Sequence, residues 1–322
     1  MGVGAPTGRG RPLVVTGGAG FIGSHVAEAL VETGRRVLVL DDLSTGREEN
    51  VPAGATVHRL DIRSAEAAAL VRSERPEVIF HLAAQIDVRR SVEDPRYDAE
   101  VNILGTLNLL QAAVEGGVRQ VVFASTGGAI YGEQETYPAP EDHPMRPVSP
   151  YGVSKLASER YLAYFHVQHR LDATCLRFAN VYGERQNPEG EAGVVAIFLH
   201  RLLAGETPII NGDGLQTRDY VHVSDVVRAN LAALGLPGCR VYNVGTGLET
   251  SVVALYRALR DALGSRVEAV HGPTKPGEQR RSVIDPGRIQ AELGLPAPLT
   301  LAEGLRRTAA WFRERTPSTQ DG

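Results

Sequence analysis

A tyrosine and a lysine four positions apart are the residues of this sequence whose types and spacing most directly suggest chemistry. Tyr151 and Lys155 stand in SPYGVSKLASERYL, a segment typical of the start of a helix. Residues four apart share one face of a helix, and an ammonium near a phenol favours the phenolate and lowers its pKa. The pair predicts an acid/base that takes a proton from a sugar or alcohol hydroxyl. Because YxxxK also occurs by chance in exposed helices, this interpretation depends on a second motif.

The segment VVTGGAGFIGS supplies that second motif. Gly17, Gly20 and Gly23 are spaced three apart between an apolar run and a helical pattern. Such glycines permit a tight turn, let the backbone approach a pyrophosphate and let the helix pack on the strand. The next apolar run ends at Asp41, 18 residues past Gly23, where an acidic side chain meets the adenosine ribose of a dinucleotide. An acid there repels a 2′-phosphate, so the motif predicts NAD rather than NADP, and Tyr151 would act while hydride leaves for the nicotinamide.

The elements that position these residues alternate between strands and helices. Apolar runs typical of buried strands are PLVVTGG, RVLVLDD, ATVHRLD, EVIFHLAA and QVVFAST. Helical patterns lie between them, which favours a parallel sheet with helices on both faces. After LRFANVYGERQ the pattern is mostly helical and includes YVHVSDVVRANLAAL. We therefore expect an α/β fold, a Rossmann-type doubly wound parallel sheet with a smaller, mostly helical C-terminal substrate domain.

The expected domain boundaries follow this change of pattern. The NAD-binding Rossmann domain is predicted to span residues 12–183, with about 219–246 returning to it. The nucleotide-sugar-binding domain is predicted to comprise residues 184–218 and 247–315. Residues 1–11 and 316–322 are expected to be flexible ends.

Composition excludes several classes of partner. The 322 residues carry a net charge of −4 with scattered Lys and Arg, which gives no support for binding to nucleic acid or a membrane surface. No apolar run reaches the length of a membrane span or follows the leader as in a signal peptide. Cys175 and Cys239 lack metal-ligand neighbours and stand in apolar runs, so we expect buried free thiols, no metal site and a cytoplasmic location.

Over nearly its whole length the chain resembles the extended short-chain dehydrogenases/reductases, and among them the nucleotide-sugar epimerases of the UDP-galactose 4-epimerase type. The motifs that carry the resemblance are VTGGAGFIGS, DDLSTG, HLAAQIDVRRSVEDP, STGGAIYG, SPYGVSK, RFANVYGERQ, GDGLQTRDYVHVSD, YNVGTG and PGEQRRS. The resemblance implies a UDP-sugar substrate, a tightly held NAD and a homodimer. In that dimer the helices that start near Glu100 and Ser154 would pair across a two-fold axis.

The resemblance also implies roles for individual residues. Tyr151 is the acid/base, and Lys155 tunes it and binds the nicotinamide ribose. Many relatives have a serine or threonine where this chain has Gly127, so the catalytic hydroxyl is expected from Thr126, or otherwise from Ser125. The other predicted cofactor contacts are Gly17, Gly20, Phe21, Ile22, Gly23, Asp41, Asp42, Leu43, Ser44, Gly46, Asp61, Ile62, Leu82, Ala83, Ala84, Gln85 and Asn102. The predicted substrate contacts are Arg89, Ser125, Thr126, Asn180, Arg185, Val194, Arg218, Glu278 and Arg281.

The activity implied is 4-epimerisation of UDP-glucose and UDP-galactose through a transient 4-keto sugar. It needs a firm diphosphate anchor, for which Arg218 is suited, and a roomy sugar pocket, for which Gly127 and Gly128 are suited. UDP-glucuronate is the alternative substrate, because Arg185 and Arg89 could bind its carboxylate, although loop arginines more often pair with nearby acids.

Two weaker alternatives are a sugar-nucleotide 4,6-dehydratase and a non-catalytic NAD-sensing protein. Dehydratases of this type carry Asp-Glu after the threonine, whereas this chain carries Gly127 and Gly128. A sensing protein has no need for both Tyr151 and Lys155. Lys275 stands where several relatives have an arginine, which removes a bidentate partner for phosphate.

Overall fold

The computed structural model of the protein describes residues 10–188, 193–274 and 279–315, and its centre is a parallel sheet. The strands, in chain order, are β1 (Leu13–Thr16), β2 (Val37–Asp41), β3 (Ala55–Arg59), β4 (Val78–His81), β5 (Gln120–Thr126), β6 (Asp172–Phe178), β7 (Asn180–Tyr182), β8 (Ile209–Asn211), β9 (Thr217–Arg218), β10 (Tyr220–His222), β11 (Cys239–Val244), β12 (Thr250–Ser251), β13 (Val270–Gly272) and β14 (Arg281–Ser282). Seven of them form the sheet, in the order β11-β6-β5-β4-β1-β2-β3.

Helices connect these strands. In chain order they are α1 (Phe21–Glu32), α2 (Ala65–Glu74), α3 (Val88–Glu93), α4 (Pro95–Ala99), α5 (Gly105–Glu115), α6 (Gly127–Ile130), α7 (Pro150–His169), α8 (Val194–Leu203), α9 (Val223–Ala233), α10 (Val252–Leu263), α11 (Gly287–Leu293) and α12 (Leu301–Arg315). A π-helical turn (Glu100–Leu104) joins α4 to α5, and a 3-10 turn (Glu48–Asn50) follows β2.

Helices cover both faces of the sheet. Helices α2, α5 and α7 pack on one face, around buried side chains such as Leu109 and Leu162. Helices α1, α9 and α11 pack on the other, around Val26, Val226 and Ile289. Each fully buried apolar side chain of this size contributes about 1.5–3 kcal/mol, so both faces need their helices. The expected doubly wound parallel sheet is confirmed.

A separate apolar core lies in the second half of the chain. Phe198 of α8, Leu255 of α10 and Leu305 of α12 belong to it, together with Tyr182 and Tyr220 from the short strands. The predicted division of the chain into two domains remains a prediction, and this packing supports it.

Three details of the second half bear on the sequence expectations. Tyr220–His222 forms strand β10 beside β7 instead of the first turn of a helix, because backbone pairing there overrides the helical pattern. Cys175 is buried as expected, but Cys239 is exposed, since it begins the edge strand β11. Across the described ranges, each helix is too short or too polar to cross a bilayer.

The order of the strands determines where a ligand site can form. Strands β1 and β4 are neighbours, although β2 and β3 lie between them in the chain. The connections from β1 and β4 therefore leave in opposite directions, which opens a crevice at the carboxyl edge of the sheet. The glycine loop follows β1, and residues 82–87 follow β4, so both line this point.

Candidate active site

The glycine loop at the end of β1 leaves the N-terminus of α1 without a side-chain cap. Gly17 has φ +68° and lies so close to the next connection that a Cβ atom would be 2.7 Å from the Ala83 nitrogen. A Cβ atom on Gly23 would collide with the Gly17 carbonyl oxygen, while at Gly20 the nearest atom is that oxygen at 3.2 Å. Gly20 caps α1 without a side chain. Such a bare helix N-terminus fits a pyrophosphate.

Asp41 joins the glycine loop to the turn after β2. Its buried carboxylate accepts hydrogen bonds from the backbone nitrogens of Ala19 and Leu43, each at 2.9 Å. Burial raises the pKa of Asp41 above its usual value. A Cβ atom on Gly46 would lie 2.9 Å from an Asp41 oxygen, so the turn packs tightly around this acid. Asp41 thus stands where the sequence analysis expects the ribose contact.

Other predicted cofactor residues surround the same crevice with different exposure. Asp42 accepts hydrogen bonds from the backbone nitrogen and hydroxyl of Ser44 in the exposed turn. Asp61, after β3, pairs with Arg63, which lowers the pKa of the carboxyl. Ile62 is buried. Two further predicted contacts, Phe21 and Ile22, occupy the first turn of α1 and are half-buried.

A buried histidine that the sequence analysis missed fastens the loop after β4. The Thr106 hydroxyl donates to the Asn102 carbonyl at 2.7 Å, so Thr106 accepts from His81 Nε2 at 3.0 Å. His81 Nδ1 is then left to accept from the Thr16 hydroxyl at 2.8 Å, and Thr16 Oγ1 accepts from the backbone nitrogens of residues 82–83. Burial, with the charge of Lys155, lowers the pKa of His81 to about 3. A neutral histidine therefore joins β1, β4 and α5.

Asn102 holds the next part of this loop. Its side-chain oxygen accepts from the Gln85 nitrogen at 2.9 Å, and its amide nitrogen donates to the Gln85 carbonyl at 2.9 Å. The amide also donates to Asp98 at 2.9 Å. Both amide residues are buried, while Ala83 and Ala84 stay half-buried. The predicted supporting role of Asn102 therefore has a geometric basis in the backbone it holds.

Tyr151 and Lys155 meet at the start of α7, beside the end of β5. Ser149 caps this helix by accepting from the Gly152 nitrogen, and a proline follows at the first position, as the sequence pattern predicts. Lys155 Nζ donates to the Ala124 carbonyl at 2.9 Å. It lies 5.9 Å from the centroid of the Tyr151 ring. The two residues of the motif therefore share one helix face and approach the same strand.

The charge state of this pair differs from the sequence expectation. Burial lowers the pKa of Lys155 to about 8. Burial also raises the pKa of Tyr151, and the charge of Asp98 raises it further. The expectation that the lysine gives the phenol a pKa below its usual value is wrong for the chain alone. Desolvation of the phenolate and the neighbouring carboxylate outweigh the ammonium.

The two candidate hydroxyls at the end of β5 have different surroundings. Ser125 is buried, and its hydroxyl donates to Glu159 at 2.6 Å. Arg177 binds both oxygens of Glu159, at 2.9 and 2.7 Å. Thr126 remains half-buried and accepts from the Ala129 nitrogen at 3.3 Å as the cap of α6. The serine is thus engaged in the core, which favours Thr126 for the catalytic role.

The two glycines after Thr126 are not equivalent. A Cβ atom on Gly127 would lie 2.8 Å from Ile284 Cγ2, whereas the nearest atom to one on Gly128 is Ser282 Oγ at 3.6 Å. Gly127 therefore permits close packing of Ile284 and offers the sugar no room, contrary to expectation. Only Gly128 keeps space on its Cβ side.

The predicted substrate residues of the second half come together on short paired strands. Arg218 of β9 is in register with Ser282 of β14, which follows Arg281. The Arg281 guanidinium pairs with Glu249 and stacks 3.7 Å from the centroid of the Tyr137 ring. Arg218 and Arg281 therefore lie on neighbouring strands, one register position apart.

The remaining predicted substrate residues belong to other elements, although the backbone nitrogen of Asn180 donates to the Asp219 carbonyl, next to Arg218. Arg185 binds Glu28 of α1 at 2.7 Å, a partner that the sequence analysis did not consider. Arg89 lies on the exposed helix α3, Asn180 is exposed on β7, and the residue at position 194 begins α8. Glu278 and Lys275 lie outside the described residues.

Comparison with known proteins shows similarity along nearly the whole chain. Residues 13–245 match the NAD dependent epimerase/dehydratase family. A UDP-glucose 4-epimerase of Mycolicibacterium smegmatis is 47% identical over 309 residues, covering 94% of this chain and 99% of that protein. A crystal structure of a Thermotoga maritima UDP-glucose 4-epimerase with UDP-glucose superposes with a TM-score of 0.93 at 46% identity, over 94% of this chain and 99% of that one. A Thermus thermophilus UDP-glucose 4-epimerase in complex with NAD gives a TM-score of 0.90 at 46% identity, over 95% and 100%.

Proposed function

Because the chain belongs to the NAD dependent epimerase/dehydratase family, we propose that it is an isomerase, an NAD-dependent UDP-glucose 4-epimerase. It interconverts UDP-glucose and UDP-galactose through a transient 4-keto sugar. The family resemblance expected from the sequence is thereby confirmed. The observation that carries the proposal is the placement of Tyr151 and Lys155 at the start of α7, where Lys155 donates to the end of β5 at the same carboxyl edge of the sheet as the glycine loop.

The residues present fit NAD. The uncovered N-terminus of α1 suits the pyrophosphate, Asp41 suits the adenosine ribose, and the loop held by Asn102 lines the middle of the crevice. The solved relative that contains NAD supports the same cofactor. When bound, NAD would supply the reversible hydride transfer at carbon 4 of the sugar.

The chain's own residues manage the proton. Tyr151 takes the proton of the 4-hydroxyl and gives it back after the sugar has turned, in the manner of a general base and acid. Thr126 orients that hydroxyl with its half-buried side chain. Lys155 is the cation that stabilises the phenolate, and its bond to the Ala124 carbonyl holds it in position.

The diphosphate anchor is proposed to be Arg218 of β9. A guanidinium group binds phosphate oxygens in bidentate fashion, and Arg281, on the adjacent strand, is held by Glu249. A firm anchor lets the keto sugar rotate without leaving, and the space beside Gly128 is suited to that rotation.

Two contacts favour neutral hexoses and epimerisation over the alternatives. Arg185 is already paired with Glu28, which weakens the case for a UDP-glucuronate carboxylate there. A 4,6-dehydratase needs carboxyl groups after the threonine, and Ile284 fills the space that a side chain at Gly127 would need.

The experiment that tests the function is an NMR assay of the purified protein with a panel of UDP-sugars and no added cofactor. We expect UDP-glucose to give UDP-galactose, with greater efficiency than the conversion of UDP-glucuronate. Tyr151→Phe is the matched control. Release of a 4-keto-6-deoxy sugar, or a strong preference for UDP-glucuronate, would contradict the proposal.

The proposed assembly is a homodimer through α7 and the helix that follows Glu100. Large apolar side chains are exposed along this surface, among them Leu104, Val153, Tyr164 and Val167, the last at 68% exposure. Such a stripe on helices is typical of an interface. Light scattering should give a dimer that Tyr164→Glu disrupts. Val270→Glu, which places the same charge on an exposed residue of β13, should not disrupt it.

We also propose a cytoplasmic location. The two cysteines, Cys175 and Cys239, are free thiols, and free thiols are typical of proteins in a reducing compartment. Cell fractionation with tagged protein tests it, and recovery in a membrane or secreted fraction would contradict it.

A further inference from the structure

A fully buried carboxylate lies between the cofactor loop and the catalytic helix. Asp98, in α4, has no exposed surface. One of its oxygens accepts from the Ser154 hydroxyl at 2.5 Å, and the other accepts from Asn102 Nδ2 at 2.9 Å and Gln85 Nε2 at 3.1 Å. All three partners are neutral. A buried charge with only neutral partners is costly, so its retention needs a further reason.

The positions of these partners indicate what the carboxylate holds together. Gln85 belongs to the loop after β4, which Asn102 also fastens. Ser154 lies on α7 between Tyr151 and Lys155. One side chain therefore connects the loop expected to contact the cofactor with the helix that presents the acid/base.

The charges nearby determine which group Asp98 affects. Burial lowers the pKa of Lys155 to about 8, and the charge of Asp98 is the foremost influence that opposes this lowering. Glu159 acts in the same direction, but its charge is already balanced by the two hydrogen bonds from Arg177. Tyr151, the other titratable group of this cluster, also feels Asp98. The buried His81 near Lys155 is neutral at physiological pH.

We propose that Asp98 is a positioning residue of the site, the buried anion that keeps Lys155 protonated and fastens the cofactor loop to α7. Asp98 is expected to contact neither the sugar nor the nicotinamide, and it acts through Lys155 and Tyr151. The proposal rests on the proposed catalytic roles of those two residues. It explains why the ammonium, whose environment includes the Phe123 ring at 4.8 Å, can still carry its charge at neutral pH.

The composition of the chain makes a direct test feasible. The sequence contains two lysines, Lys155 and Lys275, so protein labelled with ¹³C-lysine gives two sets of side-chain signals. Lys275→Arg identifies the signal of Lys155. Its chemical shift can be followed against pH in the full-length protein without substrate and without turnover, so the result does not depend on the activity assignment.

In Asp98→Asn, the pH midpoint of the Lys155 signal should fall by about one unit, as expected when an opposite charge is removed. The high-pH fall in kcat should move to lower pH by a similar amount. Ser154→Ala is the matched control, because it removes one hydrogen bond from the same carboxylate and keeps the charge, so its midpoint should match that of the wild type.

An unchanged Lys155 midpoint in folded Asp98→Asn would overturn the proposal, as would an equal shift in Ser154→Ala. If Asp98→Asn fails to fold by circular dichroism, Asp98→Ser provides a smaller neutral replacement, and the same criteria apply. Lack of epimerase activity in the wild type, with the Lys155 shift still observed, would contradict the proposed function and leave the charge role of Asp98 supported.

Discussion

The hydroxyl of Ser125 donates to Glu159 Oε1 at 2.6 Å, and the two residues are 34 positions apart in the chain. Arg177 completes this contact by binding both oxygens of the same carboxylate. The serine thus belongs to a buried ionic network beneath the site. The adjacent Thr126 is left as the half-buried hydroxyl at the end of β5.

The first prediction compares these two hydroxyls. Thr126→Val should lower kcat more than Ser125→Ala, because the threonine lies outside the buried network. Ser125→Ala should instead lower the free energy of unfolding, by about 1.5–3 kcal/mol, because it removes a buried hydrogen bond to a charged group. Steady-state kinetics and urea denaturation measure the two effects. The reverse order in kcat, with both variants folded, would assign the catalytic role to Ser125.

The second prediction concerns Tyr151. Tyr151→Phe keeps the ring and should preserve the fold, but it should lower kcat by roughly 10²- to 10⁴-fold, the range of general acid–base catalysis. Bound NAD content and the melting temperature serve as controls for structure. Turnover close to that of the wild type would exclude the phenol as the acid/base.

The third prediction concerns the cost of burying Lys155. Its pKa of about 8 in the folded chain lies below the value of about 10.4 expected when unfolded. Below pH 8 the folded state bears a buried charge. Between those two values the unfolded state binds more protons, so this lysine makes stability rise with pH.

Lys155→Met should therefore unfold with a free energy higher by about 1–3 kcal/mol at pH 7, while it loses activity. The difference from the wild type should shrink as the pH rises toward 10. Urea denaturation of ligand-free protein at several pH values measures this difference. A variant that is less stable than the wild type at neutral pH would contradict the argument.

The fourth prediction concerns Asp41 and the choice of cofactor. Titration calorimetry should show binding of NAD and much weaker binding of NADP. Asp41→Ala should weaken NAD binding, because it removes the two backbone hydrogen bonds that join the glycine loop to the next turn. It should also narrow the difference between the affinities for NAD and NADP, because it removes the acid that repels a 2′-phosphate. Glu48→Ala is the control, since it removes an exposed acid from the 3-10 turn that follows the same strand. Comparable affinities of the wild type for NAD and NADP would refute the assignment.

The fifth prediction concerns Gly127. Gly127→Ala should lower the free energy of unfolding by about 1–3 kcal/mol, the usual cost of overpacking, because its Cβ atom would meet Ile284 at 2.8 Å. Gly128→Ala should cost less, since its nearest contact is 3.6 Å away. In a double-mutant cycle, Gly127→Ala should cost less stability when Ile284 is already replaced by alanine. Additive effects in that cycle would show that the packing contact does not explain the glycine.

The sequence by itself determined those features of the site that depend on residues close together in the chain. The spacing of Gly17, Gly20 and Gly23 specifies a turn into a helix, and four positions place Tyr151 and Lys155 on one helix face. Strand–helix alternation likewise predicts the parallel sheet, because each run must bury its apolar residues. These relations follow from local geometry and periodicity.

Only the tertiary structure decided which polar groups the fold uses for its own support. His81 and Asp98 looked unremarkable in the sequence, and their partners come from other elements of the chain. Packing also pairs Arg185 with Glu28 and places Ile284 in the space beside Gly127. The physical reason is that a side chain loses its contact with water, and its pKa shifts, only after distant segments of the chain pack around it. For that reason the residue types of the acid/base pair could be read from the sequence, while its charge state could not.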